Sequence, residues 1–249
     1  MRKRIKNYWE GEAALYCNSF PIEQIYTPIV NNWANVILKQ YNYVGKPVDI
    51  LELGSGTGCL LLALSKTENN VTGIDISNRM INITKDRIKK AGALAKTMQM
   101  DAELLLYEDD SFDIIIGDNL LWTLSNPFEA YKEWYRVLKP NGKIFIFDAN
   151  WNLWRFDKEL YKKYQEYQKY LIYKYKRGTH IYCNQVEGEE IDKILYLSDK
   201  KRPEWDINAM KQIGYRNVYT WMDVSSLVWD KTTLEYNKQT LPFMVCGEK

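Results

Sequence analysis

Histidine is almost missing from this chain: His180 is the only one in 249 residues. A metal centre or catalytic pair that needs two imidazoles is therefore excluded. Cysteine is scarce as well. Cys17, Cys59, Cys183 and Cys246 are scattered and form no CxxC pair. They read as reduced thiols, not as a disulfide frame or a zinc site. No apolar run approaches the roughly 20 residues of a membrane span. The basic opening "MRKRIKNYWEGE" is followed by no apolar signal segment, so a cytoplasmic protein is expected. Charge of either sign is not in excess. The net charge of +2 gives no reason to expect nucleic acid or a membrane as partner. No glycine- or serine-rich linker, repeat or low-complexity tract interrupts the chain. One domain over residues 1–249 is expected, as a monomer or homodimer.

Aromatic side chains with a polar handle are abundant: nine Trp and nineteen Tyr against seven Phe. Such rings suit a ligand pocket and equally an amphipathic core and surface. The apolar fraction of 46% is that of an ordinary globular protein.

Strand and helix patterns alternate. "VDILEL" reads as a buried strand, then a glycine turn and a helix from Cys59 to Ser65. "NVTGIDI" is a second strand, followed by a helix capped by Ser77 and stopped by Gly92. "KTMQM" and "SFDIIIGD" are the third and fourth strands. Asn126 and Pro127 open a helix with a stripe of Phe128, Tyr131, Tyr135 and Leu138. "KPNGK" reads as a turn and "KIFIFD" as the fifth strand. This alternation predicts an α/β fold, a parallel sheet covered on both faces. A helical segment over 1–45 precedes the sheet. An insertion over 151–201 follows the fifth strand, with a helix over 153–175 striped by Tyr161, Tyr164, Gln168, Leu171 and Tyr175. A helix over 203–214 and two last strands complete the pattern.

"ILELGSGTGCL" places glycines where the first strand ends. Ligands of open parallel sheets sit at such carboxyl ends, and glycine lets the backbone approach them closely. A dinucleotide fingerprint would read G-x-G-x-x-G. Here the sixth position is Cys59, and the P-loop lysine is absent. Glu52 would repel a phosphate but accept a cation. Asp75 ends the second strand, where a carboxylate can hold ribose hydroxyls. Asp101 follows the third strand, close to where an adenine edge would lie. Three acids at consecutive strand ends suit a nucleoside with a cationic amino-acid tail, which describes S-adenosylmethionine (SAM).

Together "ILELGSGTG", Asp75, "MDAE", "FDIIIGDNLLW" and "EWYRVLKPNGKIFIFDAN" resemble class I SAM-dependent methyltransferases acting on small molecules. The resemblance covers about residues 50–150. It implies a Rossmann-like seven-stranded sheet with an antiparallel last strand and SAM as cofactor. It also implies roles. Gly54, Gly56 and Gly58 would line the methionyl and ribose part, and Glu52 would hold the loop or the amino group. Asp75, with Ile76, would take the ribose. Asp101 and Ala102 would take the adenine, and Asn119 and Leu120 would face the cofactor near the methyl. Asp118 stands where similar enzymes often carry serine or arginine; it either meets substrate or caps a turn.

The methyl acceptor is expected to be a small molecule. Tyr8, Trp9 and Tyr16 of the leading helix could close over the cofactor or simply pack the helix. Trp122, Trp151, Tyr161 and Tyr164 could form an aromatic wall, and Arg202 could pair with a substrate carboxylate. His180 and Asp118 are the candidates for a base. Two other classes remain open: a SAM-binding protein without methyl transfer, since a glycine loop reports binding alone, and an NAD-dependent oxidoreductase on a similar sheet.

Overall fold

The computed structural model describes residues 1–19, 28–41, 45–176, 178 and 183–249. Along the chain run α1 (Arg2–Ser19), α2 (Pro28–Gln40), β1 (Asp49–Leu53), α3 (Cys59–Leu64), β2 (Asn70–Asp75), α4 (Asn78–Ala91), β3 (Ala95–Gln99) and β4 (Phe112–Asp118). Then follow α5 (Pro127–Val137), β5 (Leu138–Asp148), α6 (Lys158–Tyr175), α7 (Gln185–Ile194), α8 (Glu204–Ile213), β6 (Arg216–Trp221), α9 (Ser225–Val228), α10 (Lys231–Tyr236) and β7 (Phe243–Glu248).

The strands form one seven-stranded sheet in the order β3-β2-β1-β4-β5-β7-β6. Pairs among β1 to β5 are parallel. β7 lies between β5 and β6 and is antiparallel to both. The period-two alternation of strands sends neighbouring side chains to opposite faces. Ile114, Ile116, Phe145 and Phe147 pack with α2 and α3 residues such as Ile37 and Leu61. Ile115, Ile144 and Ile146 pack on the other face with Tyr131 and Trp134 of α5 and Met210 of α8. The α/β architecture and the antiparallel strand agree with the sequence-based expectation.

Local chemistry sets the ends of the elements. The Ser77 hydroxyl accepts from the Met80 N–H at the start of α4, and Gly92 ends that helix at a left-handed φ of 60°. Asp157 caps α6, accepting from the backbone of Glu159 and Leu160. The helix expected from residue 153 therefore begins later, after a short 3-10 turn at Leu153–Arg155.

Three expectations are corrected. "KPNGK" is no turn between elements but a bulge inside β5. Phe112 faces Leu138, and the next pair is Ile114 with Lys143. Gly142 is required there, since an added Cβ would stand 2.8 Å from the Lys139 carbonyl. The buried stripe of α5 is Ala130, Tyr131, Trp134 and Val137, not one through Phe128 and Tyr135. Trp134 takes its centre because its indole N–H reaches the Ala102 carbonyl at 2.8 Å. Of the stripe expected on the insertion helix, only Leu171 is buried; its tyrosines sit at the margin or in solvent.

Candidate functional site

The strand order reverses between β1 and β4, both neighbours in the sheet, and a crevice opens beyond their carboxyl ends. Here the structure has a cavity of about 730 Å³, its open mouth included. Its floor is Gly54 and Gly56 of the loop after β1, its sides the loops after β2, β3 and β4, and its roof α1.

The floor depends on left-handed backbone. Gly54 and Gly56 have φ of 62° and 52°, a region that disfavours side chains. Asp75 at the end of β2 holds this loop: one carboxylate oxygen accepts the Gly56 N–H at 2.9 Å and the other the Ser77 N–H at 2.8 Å. Each oxygen keeps a lone pair for a further donor, and the residue lines the cavity. Burial raises the Asp75 pKa to about 6, against the opposing pull of these two N–H groups.

Glu52 lies beneath the loop and outside the cavity lining. It is buried, and its Oε2 has no hydrogen-bond partner. Burial, and then the charges of Asp118 and Asp75, push its pKa well up. Asp118, at the end of β4, is likewise pushed well up by burial and then by Asp148. Its Oδ1 accepts from the Asn119 amide at 3.1 Å. Asn119 itself sits at φ 51°, which turns the loop so that Asp118, Asn119 and Leu120 all line the cavity.

The roof is tied down by polar contacts along α1. Glu10 accepts from the N–H groups of Asn78 and Arg79 and from the Ser77 hydroxyl, so it sits at the N-terminus of α4, where a negative charge is favoured. Burial pushes Glu10 upward, but those hydrogen bonds outweigh it and hold the carboxyl below its ordinary pKa. Arg2 donates to Glu103 at 2.9 Å, and Glu12 accepts from the backbone of Cys183 and Asn184 at the start of α7. Glu10→Ala is expected to loosen α1 by about 1–2 kcal/mol, the scale of a lost cap. Limited proteolysis checks this: cleavage within α1 should precede cleavage of the sheet, and an unchanged pattern would show that Glu10 does not hold the roof.

The sequence-derived candidates separate by where the structure places them. Gly54, Gly56, Asp75, Ile76, Asp101, Ala102, Asp118, Asn119, Leu120, Trp9 and Tyr16 all line the cavity. Gly58 does not; it packs on α4, where an added Cβ would stand 2.7 Å from Thr84 Cγ2. Tyr8 packs with Ile5, Ile191 and Trp122 between α1 and α7. The indole N–H of Trp122 donates to the Asn119 carbonyl, bracing the loop from behind. Trp151 and Tyr164 line a separate small pocket against α10. There Trp154 stacks on Tyr164 at 3.7 Å, with Tyr161 on its outer side. Arg202 is buried: its side chain is 1% exposed, clamped between Asp148 and Asp206. Its substrate-carboxylate role is corrected to a structural one. His180 lies outside the described residues.

Sequence reasoning missed Arg2, Ile5, Met80, Met100, Glu103, Thr123 and Leu124 in the lining. Glu103 was within reach, since it ends the "MDAE" motif. It accepts from Arg2 and from the Ser125 backbone and hydroxyl. The apolar members carried no signal, because only the fold turns them towards the crevice.

Comparison with known proteins agrees with the fold. The family model described as "Methyltransferase domain" matches residues 51–146. The chain is 28% identical over 177 residues to the ubiquinone/menaquinone biosynthesis C-methyltransferase UbiE of Vibrio vulnificus, covering 68% of this chain and 64% of that protein. The chain thus spans a little under two thirds of that relative's length. Among solved structures, phosphoethanolamine N-methyltransferase 2 of Haemonchus contortus, in complex with S-adenosyl-L-methionine, superposes with a TM-score of 0.58 at 16% identity, over 88% of this chain and 52% of that one. The [4+2]-cyclase SpnF superposes equally well, TM-score 0.58 at 17% identity, over 88% and 80% of the two chains. At such identities the likeness is one of fold. The match over 51–146 and the seven-stranded sheet agree with the resemblance to class I SAM-dependent methyltransferases.

Proposed function

We propose that the chain binds SAM in the cavity between the glycine loop and α1 and transfers its methyl group to a small-molecule acceptor, releasing S-adenosylhomocysteine. The observation that carries this reading is the cavity's wall: Asp75, Asp101 and Asp118 stand at the ends of three strands around a glycine floor. Four acids (Asp75, Asp101, Glu103 and Asp118) and one cation, Arg2, line the described cavity, which leaves it short of positive charge. A sulfonium or ammonium supplies it.

In this reading Asp75 accepts the ribose hydroxyls, Asp101 and Ala102 border the adenine, and Asn119 and Leu120 border the sulfur end. Bound SAM supplies a methyl group on a good leaving group, so the protein's task is positioning and exclusion of water. α1 does the excluding: Trp9 and Tyr16 lie across the cavity. The insertion over 151–201, which holds α6 and α7, is read as the cover of the acceptor side, within one domain over 1–249.

Incubation with methyl-labelled SAM and fractionated metabolites tests the reaction. Label in a small product supports it. A second reading, SAM binding without methyl transfer, is favoured by the likeness to a cyclase of the same fold; tight binding with no labelled product from any fraction would select it.

Two predictions concern Asp75. Asp75→Ala should weaken SAM binding by about 1–3 kcal/mol, the scale for a charged acceptor. Calorimetry reads this directly, and unchanged affinity would remove the ribose assignment. Affinity should also depend on pH. Ribose hydroxyls donate to the ionised carboxylate, and the free protein holds that group near pKa 6. Affinity should therefore rise with pH through about 6 and level off above it. The free protein behaves oppositely: the raised pKa favours folding with Asp75 protonated, and that contribution fades as pH rises through 6. A flat affinity between pH 5 and 7.5 would show that ligand does not engage the carboxylate.

A further inference from the structure

We propose that the outward face of α6 docks on an anionic lipid surface. Lys158, Lys162, Lys169 and Lys176, the last just past the helix end, recur at helical spacing, and all four are exposed. Tyr161, Ile172 and Tyr173 lie between them on the same stripe, 44%, 53% and 81% exposed. The pattern follows a 3.6-residue period along the face opposite Leu171, the one buried residue of the helix.

Charge is segregated onto this helix. Residues 158–176 hold six lysines and two glutamates, four net positive charges in a chain whose total is +2. Among the described residues none of the four stripe lysines forms an ion pair; Lys174, off the stripe, is the one α6 lysine that does, with Glu235. The low net charge that spoke against a membrane partner therefore hides a local excess. Among the described residues no helix is long and apolar enough to cross a bilayer, so the contact is one of lying on the surface.

The side chains choose the occupant. Lysine stems bury along an apolar boundary while their ammonium groups meet headgroup charge. Tyrosine rings settle at the same depth, and Ile172 reaches the acyl boundary. A nucleic acid would use the lysines but leave Ile172 without an apolar partner, and the stripe holds no arginine for bidentate phosphate contact. At 18 residues the helix is about 27 Å long, enough to set all four ammonium groups on one plane.

The test is cosedimentation of the full-length chain with vesicles. Phosphatidylcholine vesicles with 30% phosphatidylglycerol should pellet the protein at low salt; pure phosphatidylcholine should not. Each lysine near the surface is worth about fivefold in partitioning, so K162E/K169E should lose on the order of 30-fold or more, with an unchanged circular dichroism spectrum. Ile172→Ser should lose severalfold and keep the salt dependence. No pelleting with anionic vesicles, or pelleting that survives K162E/K169E, overturns the proposal. Retention on single-stranded RNA with none on vesicles also overturns it and gives the face to nucleic acid.

Discussion

Arg202→Met is expected to lower the thermal midpoint by on the order of 10 °C. The guanidinium donates to Asp148 Oδ2 at 2.5 Å and to both oxygens of Asp206 at 2.7 and 2.9 Å. Tyr131 adds its hydroxyl to Asp206 at 2.8 Å. All of these groups are buried. Burial works against the Arg202 charge, yet the two carboxylates keep its pKa above the ordinary value. Removing the cation strands two carboxylates in the interior, at a cost of about 3–5 kcal/mol. For a domain of this size each kcal/mol moves the midpoint by about 2–4 °C.

The network also sets the loops above the sheet. Asp148 accepts the Trp122 N–H on one oxygen and the Ala149 and Trp151 N–H groups on the other. Asn150 pairs with the Arg202 backbone in both directions. Combining R202M with D148N and D206N should recover part of the loss, because the stranded charges are then gone. Calorimetric scans of the three forms check this. A fall below about 3 °C for R202M alone would mean that water reaches the carboxylates.

The second large effect is on binding. Gly56→Val is expected to weaken SAM binding at least about 100-fold while the protein stays folded. An added Cβ at Gly56 meets only Tyr16 Cε1, at 3.6 Å, an ordinary contact. The left-handed backbone, at φ 52°, costs about 1–3 kcal/mol with a branched side chain. The remaining penalty falls on whatever lies in the cavity, where the added methyl groups would project. Gly58→Val is the contrast: its Cβ would strike Thr84 at 2.7 Å, so stability should fall before affinity does. Calorimetry of both variants separates the roles. Undiminished affinity in folded Gly56→Val would end the proposal that this loop cradles the cofactor.

These assignments show how far the sequence reached. Glycines, Ser77 and strand-end acids are short-range signals with few physical meanings, and they located both the crevice and most of its wall. Arg202 looked the same as an exposed arginine beside a helix start, because only tertiary packing brings Asp148 against it from 54 residues away. Gly58 looked the same as Gly54 and Gly56, although its neighbour is α4 and not the cavity. The tyrosines of α6 matched a core stripe by spacing. Tyr and Lys tolerate solvent as well as contact, so period alone could not tell which face would be covered. The tie between α1 and the N-terminus of α4 rests on Glu10, which nothing in its local sequence singles out.

The position of β7 has a consequence for synthesis. Among the described residues strand β6 pairs with β7 alone, and β5 lacks its second partner until β7 arrives. A strand made after both of its neighbours therefore closes the gap between β5 and the edge strand β6. Until then the nascent chain presents an open β5 flank, Ile144 to Phe147, to any extended peptide nearby. This part of the sheet closes only once residues 243–248 have been made, and chaperone dependence should track the wait for them.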